Sequence, residues 1–333
     1  MLRLTLWLMG WLLPSGGLLL VGGLLLGQRL HNPQLAYPAA GYQVFVYDLY
    51  HQRKISLLYR LDSIPIVNWL PDGSRLSVML FNGDTGRFDL YLVDIANRKI
   101  ENVLIEQAFN RFPAWSPDNL RFAFISDQND LCIYTLATAV QACFGLQQIR
   151  DAAWSPDGRR LAYVREGADA PGLYLTDTTG TVQRQIVANS QLAAPVWSPD
   201  GQNLLYGLSI PDEGQRDLYL IAAHGGEPQR LTDGTRLVYD ATWSPDGTRI
   251  AYHARYNEQI DTYILNLNNH REQRLTDDIF EKGGIRWSPD GSYLAYMSRL
   301  PLYPGIFWQI SDLTAPAELI DRTVGFNLAW RPG

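Results

Sequence analysis

The sequence contains few cysteines and few lysines, and each shortage excludes a class of protein. Only Cys132 and Cys143 occur among 333 residues, too few for a disulfide-stabilised scaffold or, by themselves, a four-ligand zinc site. Lysine occurs three times, and the 28 basic residues are scattered among 34 acidic ones without a basic run. Together with a net charge of −6, this scatter argues against nucleic-acid binding.

Motifs of the common enzyme classes are also absent from the sequence. There is no Gly-x-Ser-x-Gly elbow, no Walker or dinucleotide-binding glycine pattern and no His-Glu-x-x-His. The five histidines, at positions 31, 51, 224, 253 and 270, share no metal-ligand spacing. We therefore expect no catalytic residue, no metal and no cofactor.

The first thirty residues are strongly apolar, and residues 4–26 contain no charged side chain. A helix of that length is long enough to cross a hydrocarbon core of about 30 Å, and Trp7 and Trp11 suit its interfacial end. A cleaved signal peptide is the alternative, but its apolar region is usually only about 7 to 15 residues long. We predict a transmembrane signal anchor over residues 1–29, with residues 4–27 in the membrane.

The rest of the chain is an internal repeat marked by tryptophan. Intervals of 39 to 46 residues separate Trp69, Trp115, Trp154, Trp197, Trp243, Trp287 and Trp330. Five of these residues are followed by Ser-Pro-Asp, and four of the five continue with Gly. Each copy then continues with short apolar segments divided by turn residues, and four short strands in about 43 residues is the size of a propeller blade.

The Trp-Ser-Pro-Asp-Gly sequence has a mechanical explanation. Proline presets φ near −65° for a type I turn, aspartate bonds its own backbone, and glycine takes the left-handed position. The turn aspartates therefore have a structural role, and we expect each tryptophan to lie between neighbouring blades.

The two ends of the repeat region are expected to meet. The last copy supplies only a first strand at Trp330, whereas residues 34–37 resemble the start of a second strand. Residues 34–333 number 300, and a repeat of about 43 gives seven copies. We predict an all-β, seven-bladed β-propeller over residues 30–333, with six blades as the alternative, preceded by one N-terminal transmembrane helix.

Several of these segments resemble TolB-like β-propeller repeats. They are the Trp-Ser-Pro-Asp-Gly turn, the aromatic strand Leu161-Ala-Tyr163, the strand Asp217-Leu-Tyr-Leu220 and the ending Arg230-Leu-Thr232. The resemblance covers nearly all of the chain beyond the N-terminal segment. It implies a propeller fold and much less about function, because one fold hosts many functions.

Two groups of residues are candidates for recognition, because loops held on a rigid scaffold usually carry it. The first group comes one to four residues before a repeat tryptophan, around the expected channel mouth: Arg111, Asp151, Asp240 and Arg286. The second group lies on the variable loops of the same face: Arg87, Arg216 and Tyr256. Ordinary solvated loop charge is the alternative interpretation of the charged residues.

Cys132 and Cys143 are expected on the third and fourth strands of one blade. A two-residue turn at 137–138 places them opposite each other across the hairpin. A disulfide is then sterically possible and would suit an oxidising exterior, with a free buried thiol pair as the alternative.

These observations predict a single-pass protein of the cell membrane with an extracytoplasmic β-propeller. We expect an interaction or assembly module in a bacterial envelope, with another membrane or envelope protein as its partner. The alternative is a binding or sensor domain that takes a small ligand, such as a glycan or peptide, at the channel mouth. A hydrolase ranks third.

Overall fold

A computed structural model of the chain describes residues 10–12, 18–20, 34–39, 43–48, 52–58, 66–84, 87–97, 99–103, 113–167, 169–210, 214–277, 281–299, 305–311, 317–321 and 328–332. Within these ranges the regular structure is entirely β-strand. In chain order the strands are β1 (Gly10–Leu12), β2 (Leu18–Leu20), β3 (Gln34–Ala39), β4 (Gln43–Asp48), β5 (Arg53–Leu58), β6 (Ile66–Trp69), β7 (Arg75–Asn82), β8 (Arg87–Asp94), β9 (Lys99–Val103), β10 (Ala114–Trp115), β11 (Arg121–Ile125), β12 (Leu131–Thr135), β13 (Val140–Cys143), β14 (Ile149–Trp154), β15 (Arg160–Arg165), β16 (Gly172–Asp177), β17 (Gln183–Ala188), β18 (Val196–Trp197), β19 (Asn203–Ile210), β20 (Gln215–Ala222), β21 (Gln229–Arg230), β22 (Leu237–Trp243), β23 (Arg249–Tyr256), β24 (Gln259–Asn266), β25 (Arg271–Arg274), β26 (Glu281–Trp287), β27 (Tyr293–Arg299), β28 (Gly305–Ile310), β29 (Glu318–Asp321) and β30 (Ala329–Trp330).

Five four-stranded antiparallel sheets form separate propeller blades: β6–β9, β10–β13, β14–β17, β26–β29, and β30 with β3–β5. Strands β18–β25 instead form one eight-stranded sheet, so the prediction of seven separate blades is wrong. The short strand β21 pairs only with Tyr219 and Leu220 of β20, so it does not cover the beginning of β20, where Arg216 lies. There Arg216 pairs in parallel with Leu237 of β22 and joins the two groups of strands.

The predicted N-terminal transmembrane helix is also wrong. The described parts of this segment, β1 and β2, pair as an antiparallel hairpin with Trp11 opposite Leu19. No helix in the described ranges is long and apolar enough to cross a membrane. Composition accounts for the difference, because Pro14 and six glycines lie between residues 10 and 27. Relative to alanine, each glycine costs a helix interior about 1 kcal/mol and a proline about 3 kcal/mol.

The C-terminal strand closes the ring against the N-terminal strands. Trp330 of β30 lies opposite Leu35 of β3, and the Arg331 amide donates to the Gln34 carbonyl oxygen at 2.7 Å. The Arg331 guanidinium stacks on the Trp69 ring and donates to the Gly73 carbonyl oxygen at 2.9 Å. The end of the chain is therefore attached both to the blade it completes and to the next one.

The repeat tryptophans connect neighbouring groups of strands. Each of five indole N–H groups donates to the carbonyl oxygen of the residue just before the preceding repeat tryptophan. The pairs are Trp154 with Ala114, Trp197 with Ala153, Trp243 with Val196, Trp287 with Thr242 and Trp330 with Arg286, at 2.9 to 3.3 Å. Trp115 donates instead to Ser77 Oγ, which in turn donates to the carbonyl oxygen of Asn68, just before Trp69.

The turn after each tryptophan is fixed by its serine and aspartate. The fully buried Ser155 hydroxyl donates to Asp157 Oδ1 at 2.5 Å and accepts from the Arg160 amide at 2.9 Å. The Ser155 hydrogen bond holds the pKa of Asp157 below its usual value. Gly158 takes φ +66°, the conformation that allows the chain to return antiparallel. These contacts give the repeat aspartates a structural role.

The Arg-Leu-Thr endings pair with a buried aspartate on the third strand. Thr232 Oγ1 donates to Asp217 Oδ1 at 2.6 Å and accepts from the Leu218 amide at 3.0 Å. Arg230 forms an ion pair with the other carboxylate oxygen. The same arrangement recurs with Asp261, Arg274 and Thr276. The repeated ending is therefore explained by the partner it needs on the preceding strand.

Cys132 of β12 lies directly opposite Cys143 of β13, in the register expected for a two-residue turn. The two residues are joined by a disulfide, with a Cα–Cα distance of 4.0 Å.

Candidate functional site

A cavity of about 620 Å³ opens among the inner strands β14, β18, β22 and β26, and we call it the channel-mouth cavity. Its lining consists of Arg150, Asp151, Ala193, Ala194, Val196, Leu205, Tyr206, Gly207, Arg216, Leu218, Val238, Tyr239, Asp240, Ala241, Thr242 and Arg286. This volume lies within the range of about 300 to 1,000 Å³ that is usual for ligand sites. Four residues proposed from the sequence, Asp151, Arg216, Asp240 and Arg286, therefore lie on one cavity.

The other three proposed residues are not among the described residues that line the channel-mouth cavity. Arg111 lies outside the described residues. Arg87 begins β8, where it pairs with Asn82 at the hairpin end. Tyr256 ends β23 with 57% of its surface exposed. Tyr256 therefore lies at an exposed strand end, apart from the described lining of the cavity.

One residue of the channel-mouth cavity, Gly207, lacks the side chain that the equivalent position has in other copies of the repeat. Ten residues after five of the other repeat tryptophans stand buried residues with larger side chains: Met79, Ile125, Val164, His253 and Met297. The residue ten after Trp197 is Gly207. A Cβ at Gly207 would lie 2.8 Å from Arg216 Cδ and 3.0 Å from Ala193 Cβ. Because residue 207 is a glycine, the Arg216 side chain from β20 can lie over β19 at this position.

Irregularities in the inner strands accompany the charged side chains. The register shifts between Ile149 and Asp151 in β14, between Tyr239 and Thr242 in β22, and between Gly283 and Arg286 in β26. Asp240, inside the second shift, has φ 52°, which is uncommon outside glycine. Bulges of this kind re-aim side chains and are frequent beside functional sites.

Arg150 anchors one side of the channel-mouth cavity, and the sequence analysis missed it. Its Nε lies 2.9 Å from Asp151 Oδ2, its Nη1 lies 2.5 Å from Glu166 Oε1, and its Nη2 donates to the Leu192 carbonyl oxygen. Arg150 comes four residues before Trp154, inside the window that singled out Asp151. The same positional signal could therefore have found it.

Asp240 organises the other side. Its carboxylate accepts hydrogen bonds from the Ile285 amide at 3.0 Å and from Arg286 Nη1 at 3.2 Å. His253 Nε2 lies 3.9 Å from Asp240 Oδ2, and its Nδ1 lies 3.1 Å from Thr262 Oγ1. Burial lowers the pKa of the fully buried His253 to about 4, against the opposing effect of Asp240. The imidazole is therefore neutral at pH 7.

The buried His253 should make stability depend on pH. Because the unfolded histidine takes up a proton near pH 6.5 and the folded one near pH 4, stability is lost as the pH falls between these values. We expect urea unfolding of the wild type to lose about 2 kcal/mol more between pH 7 and pH 5 than His253→Met does. Methionine occupies the equivalent position at Met297. Parallel pH curves for the two proteins would contradict the assignment.

Arg216 differs from the two paired arginines. Its Nε donates to Ser209 Oγ at 3.1 Å, and in the described ranges no carboxylate lies within ion-pair distance of its guanidinium. Burial, followed by the positive charge of Arg150, lowers the pKa of Arg216. The channel-mouth cavity therefore contains one half-buried guanidinium that forms no ion pair with a described acid.

Comparisons with known proteins agree with this architecture. Residues 143–299 match the family model of the TolB beta propeller domain. TolB from Acinetobacter baumannii superimposes with a TM-score of 0.58 at 18% identity, covering 90% of this chain and 82% of that one. An oligogalacturonate lyase in complex with manganese gives 0.65 at 15% identity, with coverages of 96% and 85%. The β-propeller domain of the Trilobed protease from Pyrococcus furiosus gives 0.67 at 12% identity, with coverages of 87% and 96%.

At these identities the structural likeness establishes the fold alone. A search of curated protein sequences found no match. Together, the family match over residues 143–299, the repeated turn and the propeller blades show that this region of the chain consists of TolB-like β-propeller repeats.

Proposed function

We propose that the chain is an interaction module, not an enzyme, and that its channel-mouth cavity receives a segment of a partner protein. The observation that carries this proposal is the convergence of Asp151, Arg216, Asp240 and Arg286 on one cavity. Asp151 and Asp240 hold neighbouring arginines in ion pairs, which suits fixed recognition better than proton transfer.

The proposed partner is another membrane or envelope protein, and the proposed location is the extracytoplasmic side of a bacterial envelope. The disulfide between Cys132 and Cys143 supports this location, because disulfides persist in oxidising compartments. A binding or sensor domain for a small glycan or peptide is the second candidate, and the cavity volume favours it.

Filling the channel-mouth cavity tests the proposal. The bait proteins are the wild type, Gly207→Val, and Gly83→Val, where a Cβ would meet nothing within 4 Å. Val164 occupies the equivalent position in another blade, but a valine at position 207 must displace the Arg216 side chain, whose Cδ would lie 2.8 Å from the new Cβ. Thermal unfolding therefore confirms that Gly207→Val is folded before its retention is compared. After crosslinking in detergent-extracted membranes, we expect quantitative mass spectrometry to find an envelope protein retained roughly tenfold better by the wild type and Gly83→Val than by Gly207→Val, a difference of about 1.4 kcal/mol.

Equal retention by all three baits would contradict the use of this cavity. The small-ligand candidate predicts instead that the protein is monomeric and that an added compound raises its thermal unfolding temperature. This increase should be absent in Gly207→Val.

A further inference from the structure

The three arginines of the channel-mouth cavity differ in their number of carboxylate partners. Arg150 is paired with Asp151 and Glu166, and Arg286 is paired with Asp240. Arg216 has only the Ser209 hydroxyl on its Nε, so its two Nη groups have no acceptor among the described residues. A guanidinium presents these groups as a planar fork that matches a carboxylate in a bidentate arrangement.

The surroundings increase the need for an anion at Arg216. The side chain is half-buried, and the positive charge of Arg150 is close enough to disfavour its ionised form. Because Arg150 already has two carboxylate partners, a ligand carboxylate would find a free pair of Nη donors on Arg216, whereas Arg286 uses its Nη1 for Asp240 and the Ile285 carbonyl oxygen. The three arginines and the three carboxylates of this region are equal in number, so it is the free planar fork of Arg216 that points to a carboxylate at this position.

The walls next to Arg216 are apolar. Ala193, Val196 and Ala241 are partly exposed in the lining, and the buried Leu205, Leu218 and Val238 lie behind them with at most 3% of their surface exposed. Aliphatic walls favour an apolar side chain beside the negative group, whereas a sugar would leave its hydroxyl groups without partners there.

We propose that the channel-mouth cavity binds the free C-terminal carboxylate of a peptide whose last residue is apolar. The carboxylate pairs with the Arg216 guanidinium, and the last side chain lies against Ala193, Val196 and Ala241 of the cavity lining. This inference rests on the proposed function and specifies the chemistry of the partner segment.

Two pools of random hexapeptides, one with free C-termini and one amidated, provide the test. The pools are captured on immobilised full-length protein and sequenced by mass spectrometry. The variants are Arg216→Met, Arg216→Lys and the matched control Arg271→Met, which changes an exposed arginine of β25. Thermal unfolding confirms that each variant is folded.

We expect the wild type and Arg271→Met to retain free-acid peptides with apolar last residues roughly tenfold over amidated ones, which is about 1.4 kcal/mol. Arg216→Met should abolish this preference, and Arg216→Lys should retain part of it because it keeps the charge and loses the fork.

The contrary outcomes separate the two proposals. Equal retention of both pools, unaffected by Arg216→Met, would overturn the carboxylate inference and leave the interaction function intact. Retention of neither pool would overturn both. Binding of trigalacturonate that depends on Arg216, with no peptide retained, would assign the carboxylate to a glycan and overturn the peptide inference.

Discussion

Replacing Trp154 with alanine should lower the free energy of unfolding by about 3 to 5 kcal/mol. The indole is 7% exposed and packs with buried residues of two blades, including Ile133 and Leu161. Its N–H donates to the Ala114 carbonyl oxygen at 2.9 Å, and the Arg121 guanidinium lies 5.0 Å from its ring. Truncation therefore removes an inter-blade hydrogen bond and leaves a cavity between the blades.

Urea unfolding followed by circular dichroism measures the loss at Trp154. Trp154→Phe keeps most of the apolar area and should cost less than the alanine variant. Val182→Ala is the surface control, because Val182 is 61% exposed and should change stability by no more than about 0.5 kcal/mol. If Trp154→Ala cost as little as this control, the inter-blade role of the repeat tryptophan would be wrong.

Replacing Asp217 with alanine should lower the free energy of unfolding by about 3 kcal/mol or more. The carboxylate is 1% exposed and accepts from Thr232 Oγ1 at 2.6 Å and from the Gly234 amide at 2.9 Å, in addition to the ion pair with Arg230. Its removal leaves these donors without their acceptor, and an unsatisfied buried donor has a large cost.

Asp277→Ala is the matched control for this buried ion pair. Asp277 also pairs with an arginine, at 2.7 Å from Arg274, but its side chain is 83% exposed. Because exposed pairs contribute little, we expect a change below about 1 kcal/mol. Asp217→Asn keeps one acceptor oxygen and should give an intermediate loss. Equal stabilities of Asp217→Ala and Asp277→Ala in the same urea experiment would refute the buried anchor.

Local chemistry explains what the sequence predicts well. The Ser-Pro-Asp-Gly turns depend on contacts within six residues, as at Ser155 and Asp157, so each copy specifies its own turn. The pairing of Trp330 with Leu35 follows from an incomplete copy at each end.

Two predictions were wrong, the seven separate blades and the N-terminal transmembrane helix. In both cases the sequence pattern used for the prediction does not contain the feature that decides the structure. The eight-stranded sheet depends on β21 being too short to cover Arg216, which only the paired strands reveal. The apolar N-terminal stretch satisfies a length criterion for a membrane helix, but that criterion gives no weight to Pro14 or the glycines around it.

The repeat pattern also predicts part of the candidate site. Position relative to the repeat tryptophan identifies Asp151, Asp240 and Arg286, because the inner strand is the same in each copy. Gly207 was missed, although alignment of the copies shows a glycine where the others have a large side chain. Side-chain geometry determines that Arg150 and Arg286 form ion pairs and that Arg216 forms none with a described acid. This geometry cannot be predicted from the sequence and is seen only in a structure.

The most direct test of the proposed site is the position of the Arg216 guanidinium in a high-resolution crystal structure of the protein with a retained free-acid peptide. Our account predicts that both Nη groups donate to the terminal carboxylate at about 2.7 to 2.9 Å, with the last side chain against Ala193, Val196 and Ala241. An Arg216 guanidinium paired with a carboxylate of this chain, and a peptide bound elsewhere, would contradict it.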